Sequence, residues 1–335
     1  MMITTTGYIP QLSYRLYKDA DMQAVLELWE KYSGWGKITE EQFQKWYLHT
    51  PHGPCIVVVA FDEKENIVGQ IVFIPSIIYL EGNLIKALRV SSPILSDRVR
   101  ELDIRDYNHP VYAMLRHGML EASDLDYGIV YMFPAKGWTS VLRTFPKNGL
   151  PEPHIAFYDC YSISLEDSQT YFEKGSGLTI HVADKFNDEY SELWERAKDN
   201  FPIVCGVVRD LNWIKWKLTK YLVFEGRDAI SKQLQGFVAI NKRTGLVIDM
   251  LGVNFEILQE IFLGVIKQVH NSNREELEIS FTSINGMATP NFMSIAKKIP
   301  GQMKNFTFAF ACYSLTDKIQ NQNIHPAKWF MMPND

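Results

Sequence analysis

Glu27-Leu28-Trp29-Glu30-Lys31 returns 165 residues later as Glu192-Leu193-Trp194-Glu195-Arg196, and this echo organises the reading of the whole chain. Each copy follows a short β-prone run, Tyr14 to Tyr17 or Leu178 to Val182, and lies on a helix opened by an acidic or Asn residue, as strand-to-helix starts do. A second helix then carries Phe43-Gln44-Lys45-Trp46 in the first half and Trp213-Ile214-Lys215-Trp216 in the second, an offset of 170. Next come an apolar strand, Cys55 to Phe61 or Tyr221 to Phe224, and a Gly-led strand, Gly69-Gln70-Ile71-Val72 or Gly236-Phe237-Val238-Ala239, shifted by 167. Three landmarks in one order predict a duplicated folding unit. The Trp residues read as core packing, since aromatics at helical spacing fill cores.

After the Gly-led strand the first half continues as a strand (Asn83 to Leu95), a helix (Val111 to Asp124), a strand (Tyr127 to Phe133) and a helix (Lys136 to Phe145). The second half repeats the path with a strand from Gly245 to Gly252, a helix from Phe255 to His270, a strand from Leu277 to Thr282, a helix from Thr289 to Lys298 and a last strand from Thr307 to Leu315. The apolar pattern breaks between Glu166 and Gly177. The expected organisation is a domain over residues 1–165, a linker over 166–177 and a second domain over 178–335.

Composition narrows the function classes. With 335 residues and 46% hydrophobic content, the chain is long enough for two cores. A net charge of -5 with no visible basic face argues against a nucleic-acid partner. Cys55, Cys160, Cys205 and Cys312 are scattered without metal spacing, so they read as reduced thiols in a cytoplasmic protein, and no metal is expected. His49 and His52 supply only two ligands around Pro51 and Gly53, which is a turn signature. Residues Met1 to Tyr14 have neither a basic n-region nor a long apolar run, and no segment is long enough to span a membrane.

Val68-Gly69 at a strand start, Val90-Ser91-Ser92-Pro93 on the next long strand, the helix from Pro110 to Ala122, and Tyr131-Met132-Phe133-Pro134 closing a strand together resemble the GNAT acetyltransferase superfamily. The resemblance covers nearly the whole chain twice and implies an α/β (α+β) fold of two tandem GNAT-like domains, each a mixed central sheet flanked by helices. It implies an acetyl-CoA-dependent N-acyltransferase acting on the amine of a small molecule, an amino sugar or a surface-polysaccharide precursor. Fem-like aminoacyltransferases pair two such domains as well, and a binding protein that keeps the fold without catalysis is the alternative from another class.

In that superfamily a glycine-containing loop leads into a helix whose amino end holds the CoA pyrophosphate, because free N–H groups and the helix dipole stabilise its charge. The matching loop here, Arg98 to Pro110, contains no glycine, and Pro110 removes one N–H donor. By the resemblance, Ser92, Ile94 and Leu95 on the strand, with Arg98, Arg100, Arg105 and Asn108 on the loop, would hold the donor. The loop reads equally as a solvated segment capping a helix. Between Asp249 and Phe255 too few residues intervene for a second pyrophosphate loop, and Asp249 itself reads as a general base or a solvent-facing carboxylate.

Acyl transfer needs a base for the amine and an acid for the leaving thiolate. The superfamily's Tyr position falls on Leu142, so the acid expected here is Tyr131, with Tyr107, Tyr112 and Tyr127 nearby. The bases expected are His109 and Glu101, ahead of Glu81 and Asp103, His109 having the ordinary pKa best suited to neutral pH. A His directly before Pro at a helix start also reads as a cap.

Overall fold

The computed structural model describes residues 11–104, 106–163, 177–200, 203–271, 279–282, 301–320, 323–330 and 332. The first half runs β1 (Ser13–Leu16), α1 (Met22–Tyr32), α2 (Glu40–Phe43) continued by a π-turn (Gln44–Leu48), β2 (Ile56–Phe61), β3 (Ile67–Leu80), β4 (Asn83–Leu95), α3 (Asp97–Arg100), α4 (Pro110–Asp124), β5 (Ile129–Met132), α5 (Thr139–Leu142) and β6 (His154–Ile163). The second half runs β7 (Leu178–Val182), α6 (Glu189–Asn200), β8 (Cys205–Val207), α7 (Leu211–Leu218), β9 (Leu222–Asp228), β10 (Leu234–Ile240), β11 (Val247–Gly252), α8 (Phe255–Asn271), β12 (Ile279–Thr282), β13 (Gly301–Ser314) and β14 (Trp329–Phe330). The helix expected over Thr289 to Lys298 and all of the expected linker except Gly177 lie outside the described residues.

β2 shows why the sheet sits between helical layers. Its unbroken run Ile56-Val57-Val58-Val59-Ala60 is buried on both faces. Val57 and Val59 join Val25, Leu28 and Trp29 of α1, whereas Ile56, Val58 and Ala60 join Val111, Leu115 and Met119 of α4. Both helices present apolar residues three and four apart, which is what aims one stripe at the sheet. Gly118 of α4 marks the closest approach, because a Cβ there would lie 2.1 Å from the Phe73 ring of β3. Gly118→Ala gains about 1 kcal/mol of helix propensity and loses about 1–3 kcal/mol to overpacking. We expect calorimetry to show a midpoint lowered by a few degrees.

The segment from Lys136 to Phe145 departs from the continuous helix expected of it. It forms a 3-10 turn at Lys136–Trp138, the single turn of α5, and then another 3-10 turn at Pro146–Asn148 that ends on left-handed Gly149. Pro146 lacks the N–H that a longer helix would need, and Gly149 supplies the exit geometry.

One described sheet has the order β1-β2-β3-β4-β5-β13-β6-β12, with β8 added along the end of β3 and β14 beside β8; a second has the order β11-β10-β9-β7. β12 comes beside β11, so the two sheets adjoin there. When strands are matched by their place after the repeated landmarks (β1 with β7, β2 with β9, β3 with β10, β4 with β11, β5 with β12, β6 with β13), the combined order reads the same from either end. The last strands are exchanged. β13 pairs with β5, and β6 pairs with β12, while β6 and β13 form a long antiparallel ladder from Gly301↔Ile163 to Cys312↔His154. The largest core is accordingly shared, with Ile78, Ala87, Ile129 and Tyr131 packed together with Trp194, Phe237, Phe262 and Phe310.

Candidate functional site

β4 and β5 run parallel over Ala87↔Ile129 to Val90↔Met132, after which β5 stops and β4 continues alone on that side to Leu95. β4 carries a β-bulge at this point. Ser91 lies opposite Val72 and Ile94 opposite Gln70, so Ile71 faces the two residues Ser92 and Pro93. A bulge takes its extra residue out of the ladder and re-aims the strand, and such features recur beside active sites. Ser92 adopts φ +51°, a left-handed conformation that costs a non-glycine residue about 1–3 kcal/mol.

A hydrogen bond from outside the sheet holds it. The hydroxyls of Tyr47 and Ser92 are 2.9 Å apart, and Ser91 Oγ is 3.2 Å from Ser92 Oγ. Tyr47 projects from the π-turn that extends α2, and its ring is clamped by Phe43 at 5.1 Å and Trp29 at 5.7 Å. π-turns inside helices are frequent at functional sites. Burial pushes the Tyr47 phenol up to about 12, with the Ser92 bond opposing the shift, so the phenol keeps its proton at neutral pH. Beside the bulge, the buried Gln70 amide has neither its oxygen nor its nitrogen hydrogen-bonded among the described residues, an uncommon state for a buried amide.

The remaining strand and loop candidates fall in different surroundings. Ile94 packs in the α1 core and Leu95 in the α4 core, where they hold the strand between its layers. Arg98 and Asn108 are exposed. Arg100 donates to the carbonyls of Tyr32 at 2.7 Å and Leu95 at 3.0 Å, tying the end of α1 to the end of β4. Arg105 lies outside the described residues.

The amino end of α4 has spent its donors internally. Asn108 N donates to Asp106 Oδ1 at 2.8 Å, and His109 N donates to the Asp106 carbonyl at 3.0 Å. Val111 N donates to His109 Nδ1 at 3.3 Å, while Tyr112 N and Ala113 N reach the His109 carbonyl. Pro110 has no N–H to offer. A pyrophosphate therefore finds no ready cradle of amides there. Burial lowers the His109 pKa, with Asp106 and Asp103 opposing, and the neutral ring accepts through Nδ1 as the helix cap.

Of the expected catalytic side chains, Tyr131 is 1% exposed; its hydroxyl donates to Ser76 Oγ at 3.2 Å and its ring lies 5.5 Å from that of Trp329. Glu101 sits at the exposed end of α3. Tyr131, His109 and Glu101 thus occupy a core, a helix cap and a surface turn. Tyr47 was not among the candidates, although the adjoining Phe43-Gln44-Lys45-Trp46 landmark pointed at its helix. His49 to His52 form a turn, with Gly53 N donating to the Thr50 carbonyl at 3.3 Å.

The matching place in the second half is filled by paired charged side chains. Asp249 of β11 lies opposite Ala239 as Ser91 lies opposite Val72. It is neither solvent-facing nor accessible as a base: it is 0% exposed, accepts from Arg209 Nε at 3.1 Å and has Lys217 Nζ 3.6 Å away. α8 then begins almost directly, with Asn254 Oδ1 capping Ile257 N. Burial of the cations gave the carboxylate its partners, which a solvent-facing reading had not supplied.

The mixed sheet with helices on both faces has the GNAT fold, as its superposition on known structures shows. An Enterococcus faecalis protein of unknown function, described as a probable N-acyltransferase, superimposes with a TM-score of 0.65 at 12% identity, over 89% of this chain and 72% of that one. A GCN5-related N-acetyltransferase from Anabaena variabilis gives 0.65 at 13% identity, over 91% and 73%. Saccharomyces cerevisiae N-myristoyltransferase with bound myristoyl-CoA gives 0.57 at 11% identity, over 91% and 84%. No family profile matches the sequence, and no characterised protein matches it by sequence.

Proposed function

We propose that this chain is an N-acyltransferase built from two tandem GNAT-like domains, residues 1–165 and 178–335, with one donor site, in the first. The observation that carries the reading is the Ser92 bulge, held by Tyr47 where β4 leaves β5. The names of the structural neighbours support the class, and acetyl-CoA is the donor we propose, with the amine of a small molecule, an amino sugar or a surface-polysaccharide precursor as acceptor. We take the protein to be cytoplasmic.

The residues fit the two ends of such a donor unequally. The bulge and the Gln70 amide suit its acyl and amide portion. The closed amino end of α4 does not suit its pyrophosphate, for which the exposed Arg98 is the loop arginine left among the described residues. When bound, a thioester supplies an acyl group activated toward an amine. The chain's own part is to hold the strand bend open and to keep a proton on Tyr47 Oη.

Two measurements test this. Isothermal titration with acetyl-CoA and with acetyl-pantetheine, which lacks the nucleotide, should show binding of both with little advantage for the nucleotide. Amine-dependent thiol release should follow. Absence of release with every donor and amine would establish the other reading, a non-catalytic GNAT-fold binding protein, which the closed α4 amino end favours. Within the acyltransferase reading, Ser92→Gly keeps the left-handed backbone whereas Ser92→Val opposes it. Ser92→Val should lose at least about tenfold in kcat/KM, or about 1.4 kcal/mol, and Ser92→Gly, which keeps the backbone but gives up the bond to Tyr47, should lose less.

A further inference from the structure

We infer that residues 323–330 form a strap that closes the shared core at neutral pH and lifts on acidification, with the facing rings of His154 and His325 as its release. The strap ends in β14, which runs parallel to β8 with Trp329 opposite Cys205 and Phe330 opposite Gly206. Trp329 is 0% exposed, and its ring centre lies 5.0 Å from that of Phe310 and 5.5 Å from that of Tyr131. The Phe330 ring centre is 4.9 Å from the Arg209 guanidinium. The strap therefore covers both the core that the halves share and the buried Arg209 and Asp249 pair. Before β14 its hold is polar. Tyr158 donates its hydroxyl to the Pro326 carbonyl at 3.5 Å, and Asn323 Nδ2 donates to Glu81 Oε2 at 2.8 Å.

His154 opens β6 and His325 caps the 3-10 turn Pro326–Lys328 of the strap, and their ring centres are 5.7 Å apart. His154 Nε2 is buried and has no hydrogen-bond partner among the described residues. His325 Nδ1 accepts from Ala327 N at 3.2 Å, which only an unprotonated ring nitrogen can do. A proton on His325 thus removes the cap, and a proton on each ring sets two cations against one another at the root of the strap. Burial foremost, and then His325, lower the His154 pKa, with Glu152 opposing. Opposite His154 on β13 stands Cys312, whose thiol is kept protonated by burial and donates to the Ile324 carbonyl at 3.0 Å. Lys328 is the cation within the turn. A His pKa held below its ordinary value in the closed state makes closure strongest above the ordinary histidine range. That stability is lost as pH falls through this range toward the lowered value.

Hydrogen exchange of the full chain, read by mass spectrometry at about pH 7.5 and about pH 5 and corrected for the intrinsic rate, tests the inference. The backbone amides of residues 327–330 should lose at least about tenfold in protection at the lower pH, while those of β2 keep theirs. His325→Asn keeps a capping oxygen that carries no titrating proton, and His154→Gln removes the second charge. Each should abolish most of the pH response. His325 is exposed, so its variant keeps the fold and decides the matter by itself if His154→Gln does not fold. Equal protection of the strap at both pH values in the parent, an undiminished response in His325→Asn, or loss of β2 protection together with the strap overturns the inference.

Discussion

Cutting the chain between Ile163 and Gly177, through a protease site inserted there, should leave a single particle, whereas residues 11–163 or 177–332 expressed alone should be insoluble. The reason is the exchange of last strands. The ladder partners of β6 all come from the second half, β12 on one side and β13 on the other, and β13 in turn closes the edge of β5. Without the second half, β6 has no sheet to join and β5 becomes an open edge, the arrangement that templates aggregation. The core divides no better, because Ile78, Ala87 and Ile129 are buried against residues of the second half. Size-exclusion chromatography of the cut chain should give the elution volume of the intact one, and calorimetry should give a single transition. Co-expression of the two pieces should restore soluble protein. A soluble, folded first half would contradict the account outright.

The parts of this architecture that were legible in sequence are those written in local periodicity. The repeated Glu-Leu-Trp-Glu motif falls on α1 and α6, the aromatic pairs on α2 with its π-turn and on α7, and the Gly-led runs on β3 and β10. β2 announced itself as a buried strand because its run is apolar without alternation. Long-range partnerships were not legible. Ser92 and Tyr47 are 45 residues apart, and neither the bulge nor the left-handed backbone leaves a trace in Val90-Ser91-Ser92-Pro93. Tyr131 could be read as an acid because its partner, Ser76, is 55 residues away. His109 followed by Pro110 carried two readings, and the bond from Val111 N gives the ring a capping role; His325 followed by Pro326 repeats it by accepting from Ala327 N at 3.2 Å. The strand exchange itself joins segments about 120 residues apart in β6 and β12 and about 180 apart in β5 and β13, and has no local signature at all.

Asp249→Asn should cost about 3–5 kcal/mol of stability, the range for removing one partner of a buried ion pair. Arg209 is 0% exposed, lies 4.9 Å from the ring centre of Phe330 and 5.4 Å from that of Trp213, and gives one guanidinium nitrogen to the Val207 carbonyl at 2.8 Å and Nε to Asp249. A guanidinium does not discharge in proteins. Asparagine preserves the shape of the carboxylate and one acceptor, so the substitution isolates the charge from the packing. Lys217 provides the contrast. Its removal as Lys217→Met leaves the Arg209 and Asp249 pair intact and keeps an apolar stem against Trp213, whose ring centre is 4.2 Å from the ammonium. The loss should then be smaller by about 2 kcal/mol or more. Urea denaturation of the two variants decides the matter through their midpoints at equal slope. If Lys217→Met proves as damaging as Asp249→Asn, the carboxylate is not the centre of the cluster. If Asp249→Asn is the more damaging, the second half has used the strand position matching Ser91 for an internal ionic lock.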